Sequence, residues 1–121
     1  AAILLTGDAG TKVERALVAR DGDRLRSTIL VAGHHGSTTS SSAEFLRAVA
    51  PDWVLFSAGY ANRFGFPAAE VRQRVAALGI RTLDTATDGA ILIRLGPDGI
   101  QQGPEGWRSR SGWLWTHRPG E

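Results

Sequence analysis

The sequence predicts an α/β fold, with parallel strands first and an antiparallel finish. Three observations carry this expectation. Short apolar runs recur along the chain, patterns of helical period separate them, and a Pro-Asp-Gly turn lies near the end of the ordered pattern.

Taken in order, Ala2–Thr6 is an apolar run closed by Gly7-Asp8, which suits a buried strand carrying a carboxylate to its C-terminal end. Thr11-Lys12-Val13-Glu14 has the form of a capping box, and Val13, Leu17 and Val18 would share one face of a helix reaching Arg20. Asp21-Gly22-Asp23 is a turn. Ser27–Ala32 reads as a second buried strand, running into the polar segment from Gly33 to Ser42. A helix over Ala43–Val49 follows and Pro51 ends it.

Trp53–Ser57 is the third β-rich run, leading into a loop from Ala58 to Pro67. Val71 and Val75, four apart, mark a helix over Ala68–Leu78, and Gly79 suits the position just past its end. Strands are expected at Arg81–Leu83 and Ala90–Leu95, with Ile100–Gln102 returning after the Pro97-Asp98-Gly99 turn. Composition changes at Gly103, so residues 1–102 read as the folded unit and 103–121 as a tail.

That tail holds Trp107, Trp113 and Trp115 among Arg108, Arg110, His117 and Arg118. Either the aromatics stack on single-stranded nucleic acid, or they dock the tail onto a protein surface. Charge does not choose between these. The net charge is +2, with no run of like sign. The absence of cysteine excludes disulfides, thiolate ligands and a cysteine nucleophile. No stretch of about 18 apolar residues is present, so a water-soluble piece is expected. The abrupt apolar start without Met reads as the middle of a larger protein.

The informative residues close the first two strands. Asp8 and the pair His34-His35 would meet on one rim if those strands are adjacent and parallel, and that rim is where ligands sit in open α/β sheets. Carboxylate and imidazole are ordinary ligands of Zn²⁺ or Mn²⁺, and a carboxylate can bridge two ions. The plain alternative makes Asp8 a turn residue and leaves the histidines solvated. Ser37 and the hydroxyl run behind it either contact phosphate or cap the next helix, with Ser41 or Ser42 as the cap. Asn62 and Arg63 either contact phosphate or stabilise their own loop.

Several strings in this order carry a resemblance. Leu4-Leu5-Thr6-Gly7-Asp8, Val31-Ala32-Gly33-His34-His35-Gly36-Ser37, Pro51-Asp52-Trp53-Val54, Ser57-Ala58-Gly59 and Asn62-Arg63-Phe64-Gly65 resemble the C-terminal half of the metallo-β-lactamase-like domain of ComEC-type DNA-uptake proteins. The resemblance extends from about Ile3 to Leu95. It implies the second half of an αββα sandwich, in a multi-spanning parent of the bacterial inner membrane. It implies a nuclease that degrades the DNA strand not imported, with Asp8 as bridging ligand and His34 or His35 as the late histidine ligand.

The first-half His-x-His-x-Asp-His cluster of that family is absent here, and Phe66 stands where the family usually has histidine before proline. This chain alone is therefore expected to bind metal weakly or not at all and to be inactive. The rest of the parent, including the other half of the domain, is the expected partner alongside DNA, and self-association is expected while the missing half leaves a sheet face open. A catalytically silent DNA-guiding module, favoured by Phe66, and a hydrolase of another phosphodiester are the competing expectations.

Overall fold

A computed structural model describes residues 2–57 and 67–106. It begins with β1 (Ile3–Leu5), α1 (Thr11–Asp21), a 3₁₀ turn (Gly22–Leu25) and β2 (Ile29–Val31). The turn Gly33–Gly36 leads to α2 (Ala43–Val49), β3 (Trp53–Phe56), α3 (Ala69–Ala77) and β4 (Arg81–Asp84). One helical turn, α4 (Thr85–Asp88), precedes the hairpin β5 (Ile91–Gly96) and β6 (Gly99–Gly106).

Strands β1 to β4 form one sheet in sequence order, every pair parallel, and β5 and β6 form a separate antiparallel pair. The α/β class is therefore observed, with its parallel and antiparallel parts in different sheets. A strand order that never reverses places successive crossover helices on the same face when every crossover has the same hand. The packing agrees. Leu4, Leu30, Val54 and Phe56 from one sheet face meet Leu17 and Val18 of α1, Phe45, Leu46 and Val49 of α2, and Val71 and Val75 of α3.

The opposite face carries Ile3, Ile29, Trp53 and Arg81 in one register row and Leu5, Val31, Leu55 and Leu83 in the next. Ile29 and Leu55 are buried, while Leu5 is 73% exposed at the β1 edge. Arg81 stacks over the Trp53 ring, 4.4 Å from its centroid, a cation–π contact between neighbours of one row. Apolar strands in a parallel sheet ordinarily have both faces covered. Among the described residues the helices cover one.

Two sequence expectations are corrected at α1. Its N-cap is Gly10 with no side-chain cap, so Thr11 and Glu14 do not form a capping box. Both side chains work across the helix pair instead: Thr11 Oγ1 donates to the Thr39 carbonyl at 2.9 Å, and the Glu14 carboxylate accepts from Ser41 N at 2.5 Å and Ser42 N at 3.0 Å. The apolar face also shifts. Val13 is 51% exposed and Glu14 is 1% exposed, because the carboxylate finds two backbone amide donors, that of Ser41 buried, which a valine could not satisfy.

Other departures are smaller. Helix α4 was not expected; the Asp84 side chain caps it by accepting from Thr87 N at 2.7 Å, and Arg72 pairs with the same carboxylate at 2.9 Å. The return strand β6 runs to Gly106 rather than stopping at Gln102, so the composition change at Gly103 falls within a strand. Helix α3 ends as expected, with Gly79 at φ +73° just past it.

Glu14 yields a direct prediction. Glu14→Gln turns an amide NH₂ toward one of two backbone donors, and the expected loss is about 2 kcal/mol, the scale of a buried hydrogen bond to a charged group left unmade. Urea unfolding of the variant checks it; an unchanged midpoint would show that the Glu14 contact contributes nothing.

Candidate functional site

The C-terminal ends of β1 and β2 lie side by side, because the two strands pair in parallel from Ile3 with Ile29 to Leu5 with Val31. The pairing continues beyond the strands as a seam between their loops. Thr6 Oγ1 donates to Val31 O at 2.9 Å, His34 N donates to Gly7 O at 2.7 Å, and Thr11 N donates to Thr39 O at 2.7 Å. Gly33 permits this contact: a Cβ there would stand 2.6 Å from Ala9 O. Asp8 therefore sits one residue from the carbonyl that anchors His34, and Asp8, His34 and His35 are all exposed on the same rim.

The imidazole pair stands on an unusual backbone. His34, His35 and Gly36 have φ of +49°, +55° and +83°, three successive residues in the left-handed region. For an L residue that region costs about 1–2 kcal/mol each, so the surroundings must hold it. Ser37 N donates to His34 O at 3.0 Å and Ala68 N donates to Gly36 O at 2.9 Å. A Cβ on Gly36 would meet Pro67 Cβ at 2.6 Å and Phe56 Cδ1 at 2.8 Å, so the turn is pressed against the end of β3 and the approach to α3.

His35 reaches the neighbouring strand: its Nδ1 lies 2.6 Å from Ser57 O. A carbonyl oxygen only accepts, so Nδ1 carries the hydrogen, and in the neutral ring Nε2 keeps its lone pair. This is the arrangement in which an imidazole binds an ion while its other nitrogen is held by a carbonyl. His34 Nδ1 lies 3.4 Å from Thr39 Oγ1. The donor types at this rim, one carboxylate and two imidazoles, fit part of the ligand set of a divalent ion. Among the described residues no three His, Cys, Asp or Glu side chains are grouped to hold an ion by themselves.

The hydroxyl run behind the histidines is mostly engaged with its own loop. Ser37 is buried and its Oγ pairs with Thr39 Oγ1 at 3.1 Å within the loop. Ser40 Oγ donates toward Gly33 O at 2.7 Å and Ser37 O at 3.0 Å. Ser42 is the helix cap, its Oγ accepting from Phe45 N at 3.2 Å, as one of the two expected cap positions. Ser41 stands at φ +56° between opposite charges: Glu14 accepts from its N–H and Arg74 donates to its carbonyl at 2.9 Å.

Asn62, Arg63, Phe66 and the tryptophans of the tail lie outside the described residues. Sequence reasoning missed Ser40, Glu14 and the Ser57 carbonyl as parts of the site's framework. Glu14 was visible only as half of a capping box, and a backbone carbonyl has no sequence signal. Two surface grooves, of about 520 and 240 Å³, lie at the N-terminal ends of the strands and are lined by Arg26, Thr28 and Asp52 and by Leu46, Pro51 and Leu78 respectively, away from this rim. No helix among the described residues is long and apolar enough to cross a membrane.

No protein-family model matches the chain. It is similar to the competence protein ComA of Neisseria gonorrhoeae, 48% identical over 84% of this chain and 15% of that protein. It is also similar to ComE operon protein 3 of Bacillus subtilis, 34% identical over 75% of this chain and 12% of that protein. Recombination protein 2 of Haemophilus influenzae is 33% identical over 82% of this chain and 12% of its own length. The chain thus spans about one eighth to one seventh of the length of the curated relatives it matches.

The strained turn gives a paired prediction. His34→Gly, which removes a left-handed L residue, is expected to leave unfolding stability within about 1 kcal/mol of the parent or above it. Gly36→Ala is expected to lose more than about 2 kcal/mol by forcing a Cβ into Pro67 and Phe56. Thermal unfolding of both variants checks this, and a stable Gly36→Ala would show that the turn yields freely.

Proposed function

We propose that this chain is part of a DNA-processing module of a competence protein, in which the rim at Asp8, His34 and His35 contributes to metal-dependent phosphodiester hydrolysis. The observation that carries the reading is the seam joining the Asp8 loop to the His34-His35 turn, with His35 Nδ1 held by Ser57 O. Similarity to a competence protein over 84% of the chain supports the biological setting.

In this reading a bound Zn²⁺ or Mn²⁺ supplies an activated water and polarises the scissile phosphate. The chain's own residues do the following. Asp8 offers an exposed carboxylate able to face two ions at once, and His34 and His35 offer imidazole lone pairs from a turn that the seam and the Ser57 carbonyl keep oriented. Asn62 and Arg63 are the proposed phosphate contacts, Arg63 by a two-pronged charged hydrogen bond. Ser37 joins them only if its hydroxyl leaves Thr39. The remaining ligands come from elsewhere in the parent, together with the layer that covers the helix-free sheet face and its exposed Ile3 and Leu5. The half-sandwich and a membrane-anchored parent, of which this segment is one part, belong to the same proposal, and the exposed Ile3 and Leu5 are what such a layer would cover.

A second reading is favoured by one feature of the sequence. Phe66 can neither bind metal nor transfer a proton, so a silent module that guides DNA without cutting it keeps the same fold. The deciding experiment measures nuclease activity of the full-length protein on single- and double-stranded DNA with Mn²⁺ or Zn²⁺. Asp8→Ala and His34→Ala are each expected to reduce cleavage by more than about 100-fold, beyond the 10–100-fold typical of residues that merely support a ligand. Cleavage that survives both substitutions would sink the metal assignment, and a wild-type protein that binds DNA without cutting it selects the guiding module.

A further inference from the structure

The His34-His35-Gly36 turn has an internal lock that the functional reading does not use. Ser40 is 0% exposed, and its hydroxyl lies 2.7 Å from Gly33 O and 3.0 Å from Ser37 O. Those two carbonyls belong to the residue just before the left-handed stretch and the residue just after it. Ser40 N also donates to Ser37 O at 3.1 Å, so backbone and side chain of one serine draw both ends of the turn together. A hydroxyl has one proton to share between two acceptors, which favours the compact geometry in which both carbonyls converge on it.

We propose that Ser40 is a positioning residue, which holds His34, His35 and Gly36 in their left-handed conformation and thereby keeps the His35 ring on Ser57 O with Nε2 turned to the rim. The consequence for metal binding rests on the reading of that rim as a metal site; the consequence for ring orientation does not. Without the hydroxyl, Gly33 O and Ser37 O lose their common donor, the φ values of +49° and +55° at the two histidines relax toward ordinary backbone, and the His35 ring leaves the Ser57 carbonyl. Ser40 is fully buried within the loop. It acts through the turn.

The test uses the full-length protein with its histidine rings labelled with ¹⁵N, as wild type, Ser40→Ala and Ser40→Thr, each studied well below its own unfolding temperature. Protonated and bare ring nitrogens resonate far apart, so the spectrum reports the His35 tautomer directly. Wild type and Ser40→Thr are expected to show one His35 form, protonated at Nδ1, and Ser40→Ala a mixture of both forms. In parallel, binding of Mn²⁺ alone is expected to weaken about tenfold in Ser40→Ala, the scale of losing a group that orients a ligand, and to be kept in Ser40→Thr.

A Ser40→Ala protein that melts earlier but keeps the wild-type His35 signal has lost only stability, and that result overturns the proposal. If wild type binds no Mn²⁺, the metal reading falls, while the ring signals still decide the role of Ser40. Should Ser40→Ala not fold, the double variant His34→Gly/Ser40→Ala removes part of the strain and reads His35 alone. A His35 signal there identical to that of His34→Gly also overturns the proposal.

Discussion

The rest of the site depends on how closely the loop after β1 approaches the loop after β2. Four backbone or hydroxyl bonds sew these loops together, one from Thr6 to Val31, one from His34 to Gly7 and two from Thr11 to Thr39. The approach is possible only because position 33 has no side chain, since a Cβ there would stand 2.6 Å from Ala9 O. One missing methyl group thus lets the loop that carries Asp8 lie against the start of the turn that carries the imidazole pair. Strand order alone would not do this, because a sheet whose order never reverses opens no crevice of its own.

Behind the seam lies a polar layer in place of an apolar one. Glu14, Ser40 and Ser41 are buried, and the carboxylate and guanidinium of Glu14 and Arg74 reach the two sides of residue 41. Burying such groups is costly unless their hydrogen bonds are made in specified directions. That requirement is what makes the layer specific: a hydrophobic filling would tolerate sliding, whereas carbonyls and amides aimed at single partners do not. The Ser41 hydroxyl is the exception, buried at a left-handed residue and without a partner among the described residues. Two unfavourable features at one position mark the loop as held by its surroundings and not by its own preference.

The helices α1, α2 and α3 pack on a single sheet face, so the described residues are arranged asymmetrically across the sheet. One face is a dense core; the other combines buried Ile29 and Leu55 with exposed Ile3 and Leu5. Apolar strands with a face free of helices are a poor end state for a parallel sheet. At the rim the histidines stand on a turn gripped from the Asp8 loop on one side and from Pro67 and Phe56 on the other.

The sequence by itself determined the α/β class, the order and near boundaries of the main elements, and the placing of Asp8 and His34-His35 at strand ends. Apolar run length, helical period and glycine punctuation are local properties, and they survive without knowledge of neighbours. Val13, Glu14 and Ser37 show where local reading stops. Val13 matched the period of a buried face but lies outside, Glu14 matched a cap but bridges two helices, and the Ser37 hydroxyl, a candidate phosphate contact, has Thr39 as a neighbour that no pattern names. Only the tertiary structure decided these, because a polar side chain chooses between its own helix, another loop and a ligand by which donors the fold brings within about 3 Å. The tautomer of His35 is the plainest case, set by a carbonyl 22 residues away whose presence no side-chain pattern announces.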